Sequence, residues 1–341
     1  MSQWQTLLQG YAITLSEDQN CIISASESSE STRIIPLLHQ RVISVIGTDA
    51  EKFLQGQLTC NVKEANELGS RLGAHCNVKG SMLALYRLIA VDGGFWLRLH
   101  HETAVSALNN LKKYIIFSKA TASDESDAVL GLGLMGAGAS TLVEKLFDRV
   151  PTEIDKSVRA GNKVAIKVPG DRFEVWMPAD EMASALEVLL KLAPLGTTND
   201  WLCEEIKAAI PDLRANTQEH FIPQMTNLQA LKGVSFNKGC YTGQEIVTRL
   251  QHRGKLNKPM YLATAEPNQQ ISAGDLIDST DKESVGEVLL AAQERDRTLF
   301  LAVITKAQAD EHTLMLANNK SPITLLELPY ELDPELFVSK R

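Results

Sequence analysis

The residues whose types and spacing could do chemistry lie between Lys238 and Glu245, which read Lys-Gly-Cys-Tyr-Thr-Gly-Gln-Glu. Thiolate is the nucleophilic form of cysteine, and a nearby lysine or helix N-terminus favours it over the thiol. Thr242 and Glu245 have capping-box spacing, which predicts a helix from about Thr242 to Gln251. That helix would place Cys240 just before its N-terminus, two residues after Lys238. Gly239 and Gly243 allow tight turns or close approach of another group. A small buried cysteine beside an ordinary cap fits the same pattern, so two readings of Cys240 stand.

The surroundings are basic. From Lys232 to Lys258 the charges are Lys232, Lys238, Arg249, Arg253, Lys255 and Lys258 against Glu245, in a chain of net charge −8. Such a patch suits phosphate, carboxylate or RNA, or else forms a solvated face. Two other patterns carry less. Gly131-Leu-Gly-Leu-Met-Gly136 matches a dinucleotide fingerprint, but its neighbours lack the βαβ order that the fingerprint requires. His100-His101 has no metal-ligand spacing to a cysteine or another histidine and reads as a surface turn, so no metal site is expected.

The elements that must position these residues belong to a chain of 341 residues, long enough for two or three domains. Apolar residues at 44% and charged residues at 22% exclude wholesale disorder, and the acidic balance argues against a general nucleic-acid coat. The five cysteines form no C-x-x-C pair, which fits reduced thiols in a cytosol. The N-terminus lacks the charged and apolar regions of a secretory signal, and no apolar run approaches the ~20 residues of a membrane span. A cytoplasmic monomer is expected.

The first forty residues read as weakly organised, with a serine- and glutamate-rich surface loop from Ser24 to Arg33. Strands are predicted at Arg41–Ile46, Arg71–Asn77, Met82–Val91 and Phe95–Leu99. A helix is predicted over Glu102–Tyr114, with Val105, Leu108 and Leu111 on one face. After an acidic break at 123–127, the order strand, helix, strand, strand, helix (Leu130–Met135, Ser140–Phe147, Val164–Val168, Phe173–Met177, Glu181–Leu192) suggests a ferredoxin-like unit. Beyond Leu256, short strands about every ten residues suit a small β-barrel. Glu331, Asp333 and Glu335 read as a solvated tail.

Lys238–Glu245 resembles the K-G-C-Y-x-G-Q-E signature of the YgfZ family of folate-binding proteins, related to the glycine cleavage T-protein. Phe221–Leu231, Ala74–Gly80, Phe53–Gln57, and Leu111–Tyr114 with Phe117–Lys119 resemble other family segments, so the likeness spans roughly 42–290. The resemblance implies an α+β fold: a T-protein-like three-domain ring of two ferredoxin-like lobes and a C-terminal β-barrel around a central folate site. The implied domains are 1–120 with 200–250, 121–199, and 251–341.

It further implies binding of tetrahydrofolate or a polyglutamylated derivative, and support of iron–sulfur proteins. Through an enzyme such as a tRNA methylthiotransferase, that support would reach tRNA modification. Cys240 is the implied functional residue and Trp201 the implied pterin contact. Lys238, Gly239, Tyr241, Gly243, Gln244, Glu245, Arg249 and Arg253 complete the expected site, with Lys238, Arg249 and Arg253 supplying positive charge for the folate's glutamate tail or another anion.

Departures from the pattern narrow the chemistry. No acid follows Gly80, where the T-protein carries its catalytic carboxylate, which argues against aminomethyl transfer. Lys207 stands where relatives carry a pterin-binding glutamate, and no second tryptophan lies near Arg41. A folate-dependent one-carbon transferase and a direct tRNA-binding module are the alternative readings. The second is disfavoured by the global charge and the lack of an aromatic RNA platform.

Overall fold

The computed structural model describes residues 2–25, 31–267 and 269–339. The chain opens with helix α1 (Gln3–Leu7) and strands β1 (Thr14–Leu15), β2 (Ile22–Ser24), β3 (Arg33–Pro36) and β4 (Gln40–Ile46). Helices α2 (Ala50–Gln57) and α3 (Val62–Leu68) lead to β5 (Ser70–Cys76), β6 (Met82–Val91) and β7 (Gly94–His100). Then come α4 (His101–Ile115), β8 (Thr121–Asp124), β9 (Val129–Met135) and α5 (Ala139–Glu144). Strands β10 (Ser157–Ala160), β11 (Lys163–Val168) and β12 (Arg172–Pro178) precede helices α6 (Ala179–Leu189), α7 (Thr198–Lys207) and α8 (Gln244–Arg253). The last elements are β13 (Met260–Ala265), β14 (Leu276–Ser279), β15 (Gly286–Gln293), β16 (Thr298–Ile304), α9 (Lys306–Glu311), β17 (Leu314–Leu316) and β18 (Pro322–Leu326).

Two compact units divide the chain. The first holds Met1–Glu51, Lys63–Arg71 and Arg87–Trp201, and the second Lys52–Val62, Leu72–Tyr86 and Leu202–Arg341. The first contains a sheet of order β10-β11-β12-β9-β3 and most of another of order β5-β6-β7-β4-β8, whose β5 and β6 run on into the second unit. The ferredoxin-like order predicted for the second block is present, with β3 added at one edge and β10 at the other. Strand β3 corrects the expectation of a weakly organised N-terminus. At four residues ending in a proline it gives no periodic signal, and pairing with β9 from Arg33↔Met135 to Pro36↔Leu132 holds it. The middle of the serine-rich stretch, residues 26–30, lies outside the described residues.

Ile35, Leu37, Val42, Ile89, Val164, Ile166, Trp176 and Trp201 form one core of this unit. A second correction concerns α4. It buries Thr103, Ala104, Ala107, Leu111 and Ile115, while Val105 is 72% exposed, because small side chains let the helix lie close on its neighbours. The glycines of the dinucleotide-like motif make room for indoles: a Cβ at Gly131 would lie 2.5 Å from Trp176, and one at Gly133 2.5 Å from Trp201.

In the second unit β13–β18 close a six-stranded barrel of order β13-β16-β15-β14-β17-β18. The period of two in β16 is consistent with both its faces being buried. Phe300, Ala302 and Ile304 join one cluster with Ile277 and Val288, while Leu299, Leu301 and Val303 join another with Cys76, Ile206, Phe221 and Val247. The acidic C-terminal segment is docked rather than wholly solvated: Leu336 is buried and its carbonyl accepts the Leu256 N–H at 2.7 Å.

Candidate functional site

The signature segment and α8 belong to the second unit. Helix α8 starts at Gln244 with Gly243 as its N-cap, at φ 82° and ψ 0°, and no side chain caps it. The predicted Thr242–Glu245 capping box is therefore absent. Gly243 is drawn so close to the turn at 77–80 that a Cβ would lie 2.5 Å from the Asn77 carbonyl oxygen. The backbone accordingly adopts a left-handed cap suited to glycine rather than the extended cap that a threonine side chain could bridge.

Val247 buries the inner face of α8, and its carbonyl accepts from Gln224 Nε2 at 2.6 Å. Glu245, Arg249, His252 and Arg253 are exposed, and Gln244 and Thr248 are half-buried. These six side chains line a cleft of about 670 Å³. Thr248 Oγ1 is shielded from solvent and has no hydrogen-bond partner. Thr248 and His252 were not singled out from the sequence, although each lies one turn from an expected residue and helical period would have found them.

Lys238 turns inward. Its Nζ donates to the carbonyls of Leu58 and Cys60, each at 2.6 Å, and lies 5.2 Å from the centroid of the Tyr241 ring. Burial lowers its pKa to about 8, only partly offset by the nearby Cys60. Tyr241 is buried with its hydroxyl unpartnered, and that burial pushes its pKa up. Gly239 and Cys240 are exposed. Cys240 lies four residues ahead of α8, and the Lys238 ammonium is engaged with the two carbonyls.

The turn at Asn77–Gly80 has a carboxylate that the sequence order hides. Glu219 Oε2 accepts from Asn77 Nδ2 at 2.7 Å, while Asn77 Oδ1 accepts the N–H groups of Lys79 and Ser81. Lys207 bridges Glu204 at 2.8 Å and Glu294 at 2.7 Å, and despite partial burial these bonds raise its pKa. Glu204, three residues before Lys207, is thus held in an ion pair with it.

Trp201 belongs to the first unit. It is 2% exposed, packs on Gly133 and lies under the Arg172 guanidinium at 4.7 Å from the ring centroid. Its helix α7 opens on a reciprocal Thr197–Asp200 cap. His100 is buried rather than on a surface turn, because its Nδ1 accepts the Glu102 N–H and caps α4. Among the described residues no helix is long and apolar enough to cross a membrane.

No family model matches the chain. It is 32% identical over 309 residues to tRNA-modifying protein YgfZ of Colwellia psychrerythraea (strain 34H), covering 89% of this chain and 95% of that protein. It is 34% identical over 306 residues to the protein of the same name from Pectobacterium carotovorum subsp. carotovorum, covering 88% and 92%. Among solved structures, glycine cleavage system aminomethyltransferase T from Bartonella henselae aligns at a TM-score of 0.70 over 91% of this chain and 88% of that one. The identity is 15%, so this likeness speaks for the fold.

Proposed function

The chain belongs to the YgfZ family of tRNA-modifying proteins, and from that premise we propose that it binds a reduced folate and, through Cys240, supports iron–sulfur enzymes that modify tRNA. The observation that carries the reading is the cleft along α8. At about 670 Å³ it falls within the 300–1,000 Å³ typical of small-ligand sites. Arg249 and Arg253 present two guanidinium groups to it, suited to the carboxylates of a glutamate tail. Glu245 and Gln244 offer acceptors for the donor edge of a pterin, and the unpartnered Thr248 Oγ1 gains a partner when a polar ligand enters.

A reduced folate supplies one-carbon chemistry at its ring nitrogens when bound. The protein's own groups bind and orient it. Lys238 takes no part in tail binding in this reading, since its ammonium is engaged with two carbonyls. Trp201 supports the fold of its unit, because its buried ring offers a pterin no open face. Cys240 is an exposed thiol available to a partner enzyme.

Titration with tetrahydrofolate followed by intrinsic fluorescence tests this. Saturable binding is expected, weakened about tenfold or more in R249Q/R253Q by loss of charge-assisted hydrogen bonds, and unchanged in C240S. Absence of saturable binding to the intact protein sinks the folate reading. If C240S cells retain full methylthiolation of tRNA, the role of the thiol falls.

A further inference from the structure

Helix α4 ends at Ile115, within the segment Lys112-Lys-Tyr-Ile-Ile-Phe-Ser-Lys119. Within it Ile115 anchors the segment in the core. The side chains around it face water: Phe117 is 91% exposed, Ile116 69% and Tyr114 50%, and Lys112, Lys113 and Lys119 are exposed. Residues 103–120 hold these three lysines and no acid, in a chain of net charge −8. Asp49 touches the segment, accepting the backbone N–H of Lys119 at 2.8 Å, and Lys113 Nζ donates to Asn110 at 2.8 Å.

We propose that this exposed segment binds single-stranded RNA, with bases stacked on Phe117 and Tyr114 and phosphates against Lys112, Lys113 and Lys119. A phenylalanine left almost wholly in water gains by covering its ring, and every base has a face to stack on it. The lysines supply the electrostatic attraction that follows a phosphate backbone. Their lysine-only rim favours a polyanion over an apolar protein surface. The sequence reading disfavours direct RNA contact for want of an aromatic platform, and Tyr114 with Phe117 furnishes one. The choice of RNA rests on the tRNA-linked role proposed above, while the measurement is independent of folate.

The test is fluorescence anisotropy of a fluorescein-labelled 12-nucleotide oligo(A) RNA with the full chain at 50 mM salt. Binding is expected, weakening with a salt slope of about −2, as release from three phosphate contacts on a single strand predicts. F117A should lose about tenfold at an unchanged melting temperature. F117W should retain affinity, with its indole emission quenched on binding, and K112Q/K113Q should flatten the salt slope. No binding to the intact protein, binding that F117A leaves unchanged, or equal binding to a duplex RNA would overturn the proposal and assign the exposed side chains to a protein partner. Folate titration of F117A keeps the two readings apart, because it should match the intact protein.

Discussion

At the scale of single residues, the Lys238 ammonium is held between two backbone carbonyls in a largely buried position. Its pKa falls to about 8 from an ordinary 10.5, mainly through loss of hydration. Between those values the unfolded chain binds a proton that the folded chain does not, so stability rises with pH across that window. Comparing the intact protein with K238M by urea unfolding from pH 7 to 11 isolates this contribution. The stability difference should move in favour of the lysine as pH rises from about 8 to 10.5, and a pH-independent difference would refute it. Residue type alone suggests a cation facing outward to an anion or to Cys240. The carbonyls of residues 58 and 60, some 180 positions away, decide otherwise, and no local pattern announces them.

At the scale of elements, the start of α8 is set by the approach of the 77–80 turn rather than by a side-chain cap. The signature contains two glycines with different duties. Gly243 is at φ 82° with the Asn77 carbonyl oxygen 2.5 Å from where a Cβ would stand, whereas a Cβ at Gly239 meets nothing within 4 Å. G243A should therefore destabilise the protein by about 1–3 kcal/mol through strain and overpacking. G239A should change stability by less than about 0.5 kcal/mol. Thermal unfolding of the pair checks this, and equal melting temperatures would remove the structural distinction. Much at this scale is legible in sequence. Strand β6 spans Met82–Val91 as its apolar run predicts, and the spacing of turn residues marks the barrel. What escapes is short, as with β3 and the three-residue β17.

At the scale of the whole molecule, the first unit carries a buried network of charges between its sheets. Arg87 contacts Asp155 at 2.7 Å and Glu174 at 3.4 Å, Arg98 contacts Glu174 at 2.7 Å, and Arg71 contacts Asp155 at 3.0 Å. Trp176 Nε1 also donates to Glu174 at 2.9 Å. Burial raises the pKa of Glu174, but the guanidinium groups of Arg98 and Arg87 outweigh it and hold the carboxyl below its ordinary 4.5. A depressed carboxylate contributes stability that is present above the unfolded value and lost as pH falls through the folded one. E174Q should cost about 3–5 kcal/mol at pH 7, because it leaves buried guanidinium groups uncompensated. That deficit should begin to shrink below pH 4.5, where the unfolded carboxyl takes up a proton while the folded one stays ionised, and should be lost once pH falls through the lower folded value. Urea unfolding of both proteins from pH 3 to 8 reads it, and a constant deficit would refute the assignment.

By itself the sequence determined the family, through an eight-residue signature, and the α+β character with a terminal barrel, through periods of 2.0 and 3.6 that report which face of each element is buried. It also placed the basic segment around Cys240 within an acidic chain. Only the tertiary structure decided which cations face the cleft: Arg249 and Arg253 do, while Lys238 does not. It likewise showed that Gly131 and Gly133 seat two indoles, and that Glu219 stands beside Asn77. These outcomes depend on contacts between residues tens to more than a hundred positions apart, where excluded volume and hydrogen-bond satisfaction choose the partner.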